Sequence, residues 1–189
     1  GEAAMIKTGG INAGTGNQCQ VHTVGKPASS FYVYQQVYGA DGLPLEGVFV
    51  DRNNDGNISE EDRYCYKSPA APYLAGLSAR IQYKNWDLGF NLRGSFGNYV
   101  YNDRQADYAN VAKRYDSSFA CLQNTTPTAV KNNWKTYSWV LSDYYVENAS
   151  FVKLDNITLG YSFQNLFKGG SYNGLNGRVY LTATNVATI

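Results

Sequence analysis

The stretch LAGLSARIQY, Leu74 to Tyr83, runs through Lys84 and Asn85 into WDLGFNLRGSF, Trp86 to Phe96. In the first segment Ala75, Leu77, Ala79, Ile81 and Tyr83 share one parity and Gly76, Ser78, Arg80 and Gln82 the other, the alternation of a half-buried strand. In the second, Trp86, Leu88, Phe90, Leu92 and Phe96 oppose Asp87, Asn91, Arg93 and Ser95. A tight turn at Lys84 and Asn85 pairs Tyr83 with Trp86, Ile81 with Leu88, Ala79 with Phe90 and Leu77 with Leu92. The same register sets Ser78 opposite Asn91 and leaves Arg80 diagonal to Asp87, so both strands agree on which face is polar.

Each strand is about as long as a tilted strand needs to cross a bilayer. The aromatic pair at the turn suits the headgroup level, with the tight end periplasmic. The alternation equally permits a soluble antiparallel sheet with one face on a core. Downstream, ITLGYSF sets Ile157, Leu159, Tyr161 and Phe163 against Thr158, Gly160 and Ser162, and RVYLTATN sets Val179, Leu181 and Ala183 against Arg178, Tyr180 and Thr182. In FVKLD, Val152 and Leu154 are out of phase with Ile157, which either a bulge or the strand's emergence above a membrane explains. SFYVYQQVY, Ser30 to Tyr38, is a further strand, with CQVHTV as its partner across the GKPAS turn. Two long polar segments, about 39–72 and 98–148, alternate with short or moderate connections, as in a barrel with long outer loops and short periplasmic turns. Such loops are unusual in a soluble domain. Within the second, YNDRQADYANVAKRY is a candidate short helix.

Composition narrows the function classes. With 16 Lys plus Arg against 15 Asp plus Glu, the formal charge of +1 offers nothing to a polyanion, and no nucleic-acid partner is expected. No run approaches the ~18 to 20 apolar residues of a membrane helix, so a membrane role must rest on strands. The 17 Tyr, 19 Gly and 3 Trp suit many strands joined by tight turns. With Gly1 at the start and no leader pattern around Met5, any export signal is expected either upstream or already removed. The cysteines, Cys19, Cys65 and Cys121, are odd in number and lack metal spacing; a Cys65 to Cys121 bridge is the pairing to test. His22 stands alone without a nucleophile elbow, and Glu60, Glu61 and Asp62 sit in a solvated loop, so no enzyme is expected. Tyr99, Tyr101, Tyr108, Trp134, Trp139, Tyr144 and Tyr145 are available either to stack on sugars or to pack the loops together.

One segment carries ligand chemistry. In DRNNDGNISEED, Asp51, Asn53 and Asp55 occupy positions 1, 3 and 5 of a calcium loop, Gly56 the turn position 6, Asn57 position 7 through its carbonyl, and Asp62 position 12. Hard Ca²⁺ takes six to eight oxygens, and the glycine lets alternate residues converge. Asp at the last position is shorter than the usual Glu. The flanks are not helical, since GVFV precedes the loop and Arg63 to Tyr66 opens no helix, so this is a lone loop on a sheet scaffold. The metal-free alternative is an Asx-rich turn that satisfies its own backbone.

Taken in order, VGKPASSFYVYQQVY, DGLPLEGVFVDRNNDGNISEEDRY, SPAAPYLAGLSARIQYKNWDLGFNLRGSFGNYVYN, SDYYVENASFVKLDNITLGYSF and GRVYLTATN resemble the C-terminal barrel segments of the SusC/RagA family of TonB-dependent transporters. The resemblance runs from about Val24 to Asn185. It implies an all-β fold, an antiparallel segment of a large transmembrane barrel with long extracellular loops, in a bacterial outer membrane. Family barrels have about 22 strands around a plug and import glycans or peptides, with a SusD-like surface lipoprotein and TonB as partners. Ca²⁺ at the oxygen-rich loop remains a structural expectation from spacing alone. Family chains carry a plug and a further terminal strand that are not in this sequence, so the resemblance implies that residues 1–189 are a C-terminal barrel fragment or one chain of a split product. The competing reading is a secreted, calcium-stabilised β-sandwich that binds carbohydrate, in which the Leu77, Ile81, Leu88 and Phe90 face is covered by a second sheet.

Overall fold

The computed structural model describes residues 4–10, 18–109, 111, 115–116, 121–122, 124–135, 141–166 and 174–189. The chain forms two units, residues 1–70 with 98–149, and residues 71–97 with 150–189. The first begins with β1 (Ile6–Gly10), β2 (Gln18–His22), β3 (Ser30–Val33), β4 (Gln36–Tyr38), β5 (Pro44–Phe49) and β6 (Tyr64–Cys65). The second takes β7 (Tyr73–Tyr83) and β8 (Trp86–Phe96). The first resumes with β9 (Tyr99–Tyr101), α1 (Asp103–Asp107), β10 (Tyr115–Asp116), β11 (Cys121–Leu122), α2 (Pro127–Asn132) and β12 (Val146–Asn148). The second closes with β13 (Phe151–Leu166) and β14 (Leu175–Thr188).

The first unit has its own core. Cys19 and Val21 alternate inward along β2, which pairs with β3 across the GKPAS turn through Gln20 with Phe31 and Val21 with Ser30. The SFYVYQQVY strand is divided: after Val33, Tyr34 bridges to Ser142, and β4 turns to pair with β5. The two polar segments therefore fold into short paired strands and capped helices. In α2 the Thr126 hydroxyl accepts the Ala129 N–H at 3.1 Å, Pro127 begins the helix, and Asn133 ends it at a φ of 52°. In α1 the Asn102 side chain accepts the Gln105 N–H at 3.0 Å, but the helix spans only Asp103–Asp107. Of the aromatic residues singled out, Tyr101, Trp134 and Tyr145 are buried in this core, Tyr99 and Tyr144 pack on it half-buried, and Tyr108 is exposed; Trp139 lies outside the described residues.

The second unit is one antiparallel sheet in the order β14-β13-β8-β7. The hairpin has the expected register, Tyr83 with Trp86 through Leu77 with Leu92, and Ser78 opposite Asn91. Lys84 takes a φ of 53° to make the turn. The phase break in FVKLD is a β-bulge: the register shifts between Leu154 and Asn156 against both neighbours. Asp155 is the extra residue, so Leu154, opposite Leu92, stays on the same face as Ile157, opposite Phe90.

Candidate functional site

Parity gives the four-stranded sheet two chemically distinct faces. On one, four rungs cross from β7 to β14: Leu77, Leu92, Leu154, Ala187; Ala79, Phe90, Ile157, Ala183; Ile81, Leu88, Leu159, Leu181; and Tyr83, Trp86, Tyr161, Val179. Much of this face is open: Leu77 is 55% exposed, Ile81 56%, Leu159 44% and Leu181 75%. The rung beside the turn is aromatic, with the Trp86 and Tyr161 rings 4.8 Å apart. An apolar surface this continuous marks contact with lipid or with another protein surface.

The opposite face is polar and organised around Asp87. Arg178 holds this buried carboxylate with two donors, Nε reaching Oδ1 at 2.9 Å and Nη2 reaching Oδ2. Arg80 stands on its other side, Nη2 3.6 Å from Oδ2. Gly160, opposite Asp87, makes room for the pair, because a Cβ there would press on Asp87 Oδ1 and lie 2.7 Å from Arg178 Nη2. Neighbouring groups pair laterally, Asn91 donating to Asn156 at 3.0 Å and the Thr158 and Thr182 hydroxyls meeting at 3.0 Å. Farther along, Arg93 donates to Asp155, the carboxylate of the bulge residue, at 3.0 Å. Sequence pattern showed Arg80 near Asp87. It did not reveal Arg178 as the principal partner, although Arg178 lies on the polar parity of its strand and an in-strand glycine often marks a close approach.

The oxygen-rich loop sits in the first unit. Asp51 accepts the Asn54 N–H at 2.7 Å on Oδ1 and the Gly56 N–H at 2.8 Å on Oδ2. Asp55 accepts the Asn57 N–H at 2.7 Å, Asn53 accepts the Asp55 N–H at 3.1 Å, and Gly56 turns the chain at a φ of 82°. Asp62 is buried, accepting from the N–H of Ser59 at 2.7 Å and of Arg52 at 2.8 Å. With the Ser59 hydroxyl accepting the Glu61 N–H, it completes a capping box. The Ser59 N–H, more than those of Arg52 and Asn53, holds the Asp62 carboxyl below the usual aspartate range against the opposing effect of burial. The donor chemistry suits a hard cation, and the Asp51 and Asp55 oxygens keep lone pairs beyond those used on N–H groups. Yet among the described residues no three His, Cys, Asp or Glu side chains form a group able to hold a metal. Asn57 is exposed and takes part in the loop through its backbone N–H.

Two other expectations resolve simply. Cys65 is a free thiol in β6, so the bridge to Cys121 is not formed; burial pushes its pKa up, as it pushes buried Cys19 to about 11. His22 is an exposed strand residue, its Nε2 3.1 Å from the Ser29 hydroxyl.

No protein-family model matches the chain. The TonB-dependent receptor SusC of Bacteroides thetaiotaomicron is 49% identical over 175 residues, which cover 93% of this chain and 17% of that protein. The TonB-dependent receptor P26 of Formosa agariphila is 30% identical over 149 residues, 73% of this chain and 14% of that one. Among solved structures, the RagAB peptide importer in its closed-closed state superposes with a TM-score of 0.63 at 23% identity, covering 94% of this chain and 20% of that chain. A further RagAB peptide transporter structure gives 0.64 at 20% identity, covering 92% and 20%. At these identities the structural likeness speaks for the fold alone. The chain spans about a fifth or less of each relative's length.

Proposed function

Because the chain belongs to the SusC/RagA family of TonB-dependent receptors, we propose that it supplies strands and outer segments to an outer-membrane barrel that imports glycans or oligopeptides. Its partners in this reading are a SusD-like surface lipoprotein and TonB, the latter engaging the transporter outside these residues. Transport, substrate and partners belong to the whole protein, and the matched residues are only 17% of SusC. The curated relatives are receptors, and we assign the chain no catalytic step.

The observation that carries the reading is the exposed apolar face backed by a charged one. Leaving apolar side chains in water forgoes roughly 25 cal/mol for each Å² that could be buried, whereas hydrocarbon imposes no such loss. Arg80, Asp87 and Arg178 need a wet interior on the other side, as the alternation of a transmembrane barrel provides. β7 and β8, 11 residues each, match the ~9 to 11 residues of a tilted spanning strand. The two polar segments, about 39–72 and 98–148, are then extracellular, because the tight Lys84–Asn85 turn has the length of a periplasmic connection. A β-sandwich would instead cover Leu77 and Ile81 with a second sheet.

Adjacent residues on β14 separate the readings. In the full-length transporter with native cysteines replaced, Leu181→Cys carrying a fluorophore should be quenched by nitroxide lipids. Thr182→Cys should react with a membrane-impermeant maleimide and escape quenching. Equal aqueous reactivity at both positions would overturn the barrel assignment.

The loop at 51–62 is proposed as a structural Ca²⁺ site held by Asp51, Asn53 and Asp55 side chains, the Asn57 carbonyl and Asp62. Support comes from oxygen donors at the required spacing and the glycine turn, and bound Ca²⁺ would cross-link the turn electrostatically. Calorimetry on the folded protein should show Ca²⁺ uptake that Asp51→Asn weakens. The absence of heat at millimolar Ca²⁺ would remove the site.

A further inference from the structure

On the polar face, Gly89 lies between Arg80 on β7 and Thr158 on β13. With no side chain there, the face has a hollow bordered by Ser78, Arg80, Asn91, Asn156, Thr158 and Arg178. Several of the hydrogen-bonding groups around it are already engaged: Asn91 with Asn156, Thr158 with Thr182, and Arg178 with Asp87. Arg80 is different. Its guanidinium, whose side chain is 62% exposed, has among the described residues one ionic contact, at 3.6 Å, to a carboxylate that Arg178 already grips. Two cations thus face one anion, and a planar fork of N–H donors stands at the rim of a cavity with most of its capacity unused.

We propose that this hollow receives a carboxylate, an Asp or Glu side chain from another part of the same protein, which takes a two-pronged hydrogen bond from Arg80 and completes an alternating Arg178–Asp87–Arg80–carboxylate row. This rests on the reading that the polar face lines the barrel interior. Charge complementarity selects the group: the row carries one positive charge in excess, and a guanidinium matches a carboxylate in shape as well as sign. Position selects the source. Arg80 and Gly89 lie close to the tight turn at Lys84 and Asn85, toward the periplasmic end by its loop length, away from the long segments where an incoming substrate would first arrive. The relatives are long enough that 83% of SusC lies outside the matched region, and wide transporter barrels have plugged interiors.

A zero-length carbodiimide joins a carboxylate to an amine only when the two touch, and arginine does not react. The test uses full-length transporter in outer membranes, with Arg80→Lys supplying the amine and the Arg80 protein as the blank. After carbodiimide treatment, mass spectrometry should find position 80 joined through an amide to an Asp or Glu outside residues 71–97 and 150–189, a product lost in Arg80→Gln. Recovery of an Asp87 link alone, of a link to the lipoprotein or to added peptide, or of none in folded protein, would each overturn the proposal. The Leu181 and Thr182 labelling contrast tells which idea has failed: if it holds while the cross-link is missing, the barrel reading stands and the carboxylate docking falls.

Discussion

Gly160 shows how one missing side chain shapes the charged face. β13 could accept a larger residue at this position on backbone grounds, since nothing in its conformation demands glycine. The limit comes from across the strand, where Asp87 and Arg178 meet in the space a Cβ would take, 2.7 Å from Nη2 and 2.8 Å from Nε. The Arg178 tip can swing, but the short Asp87 side chain on a paired strand has little room to follow. Gly160→Ala should therefore open the two-pronged ion pair and destabilise the folded transporter by about 1 to 3 kcal/mol, the usual penalty of overpacking. A double-mutant cycle checks the cause: with Asp87→Ala already present, Gly160→Ala should cost clearly less, because the carboxylate the new methyl presses on is gone. Equal costs in both backgrounds would mean that the glycine serves the backbone and not the ion pair.

Strands were legible to the extent that parity alone defines them. β7, β8 and the central part of β13 each state their faces without reference to anything distant, and the hairpin register follows from a turn two residues long. The bulge in β13 was visible only as a phase break. Identifying Asp155 as the inserted residue required the register with β8, which places the consecutive Leu92 and Asn91 opposite Leu154 and Asn156. The first unit was less legible for a related reason. Tyr101, Trp134 and Tyr145 come together from three separate stretches of the chain, and no local period announces that they share a core. The loop aspartates illustrate a different ambiguity, since Asp62 satisfies both a calcium spacing and the Ser-x-x-acid pattern of a capping box; the geometry displays the second role through Ser59. The Arg178 to Asp87 contact spans 91 residues, so pattern could place both on one polar face but could not join them.

At the scale of the molecule, the second unit has hydrogen-bonding edges that its own strands leave open. In the order β14-β13-β8-β7, β8 and β13 have neighbours on both sides, while among the described residues β7 and β14 have one each. Every second amide of an edge strand points away from its sheet, and in hydrocarbon such groups must find partners, which is why spanning sheets close. In the full-length transporter the outward amides of β7 and β14 should thus be held by strands from the rest of the barrel. Hydrogen exchange measures this directly. In full-length protein all four strands should exchange slowly and alike, whereas in the 189-residue chain alone, held in detergent, β7 and β14 should lose protection at alternate residues while β8 and β13 keep theirs. Uniform slow exchange in the monomeric short chain would show a sheet complete in itself, and a self-contained sheet would have no need of a barrel.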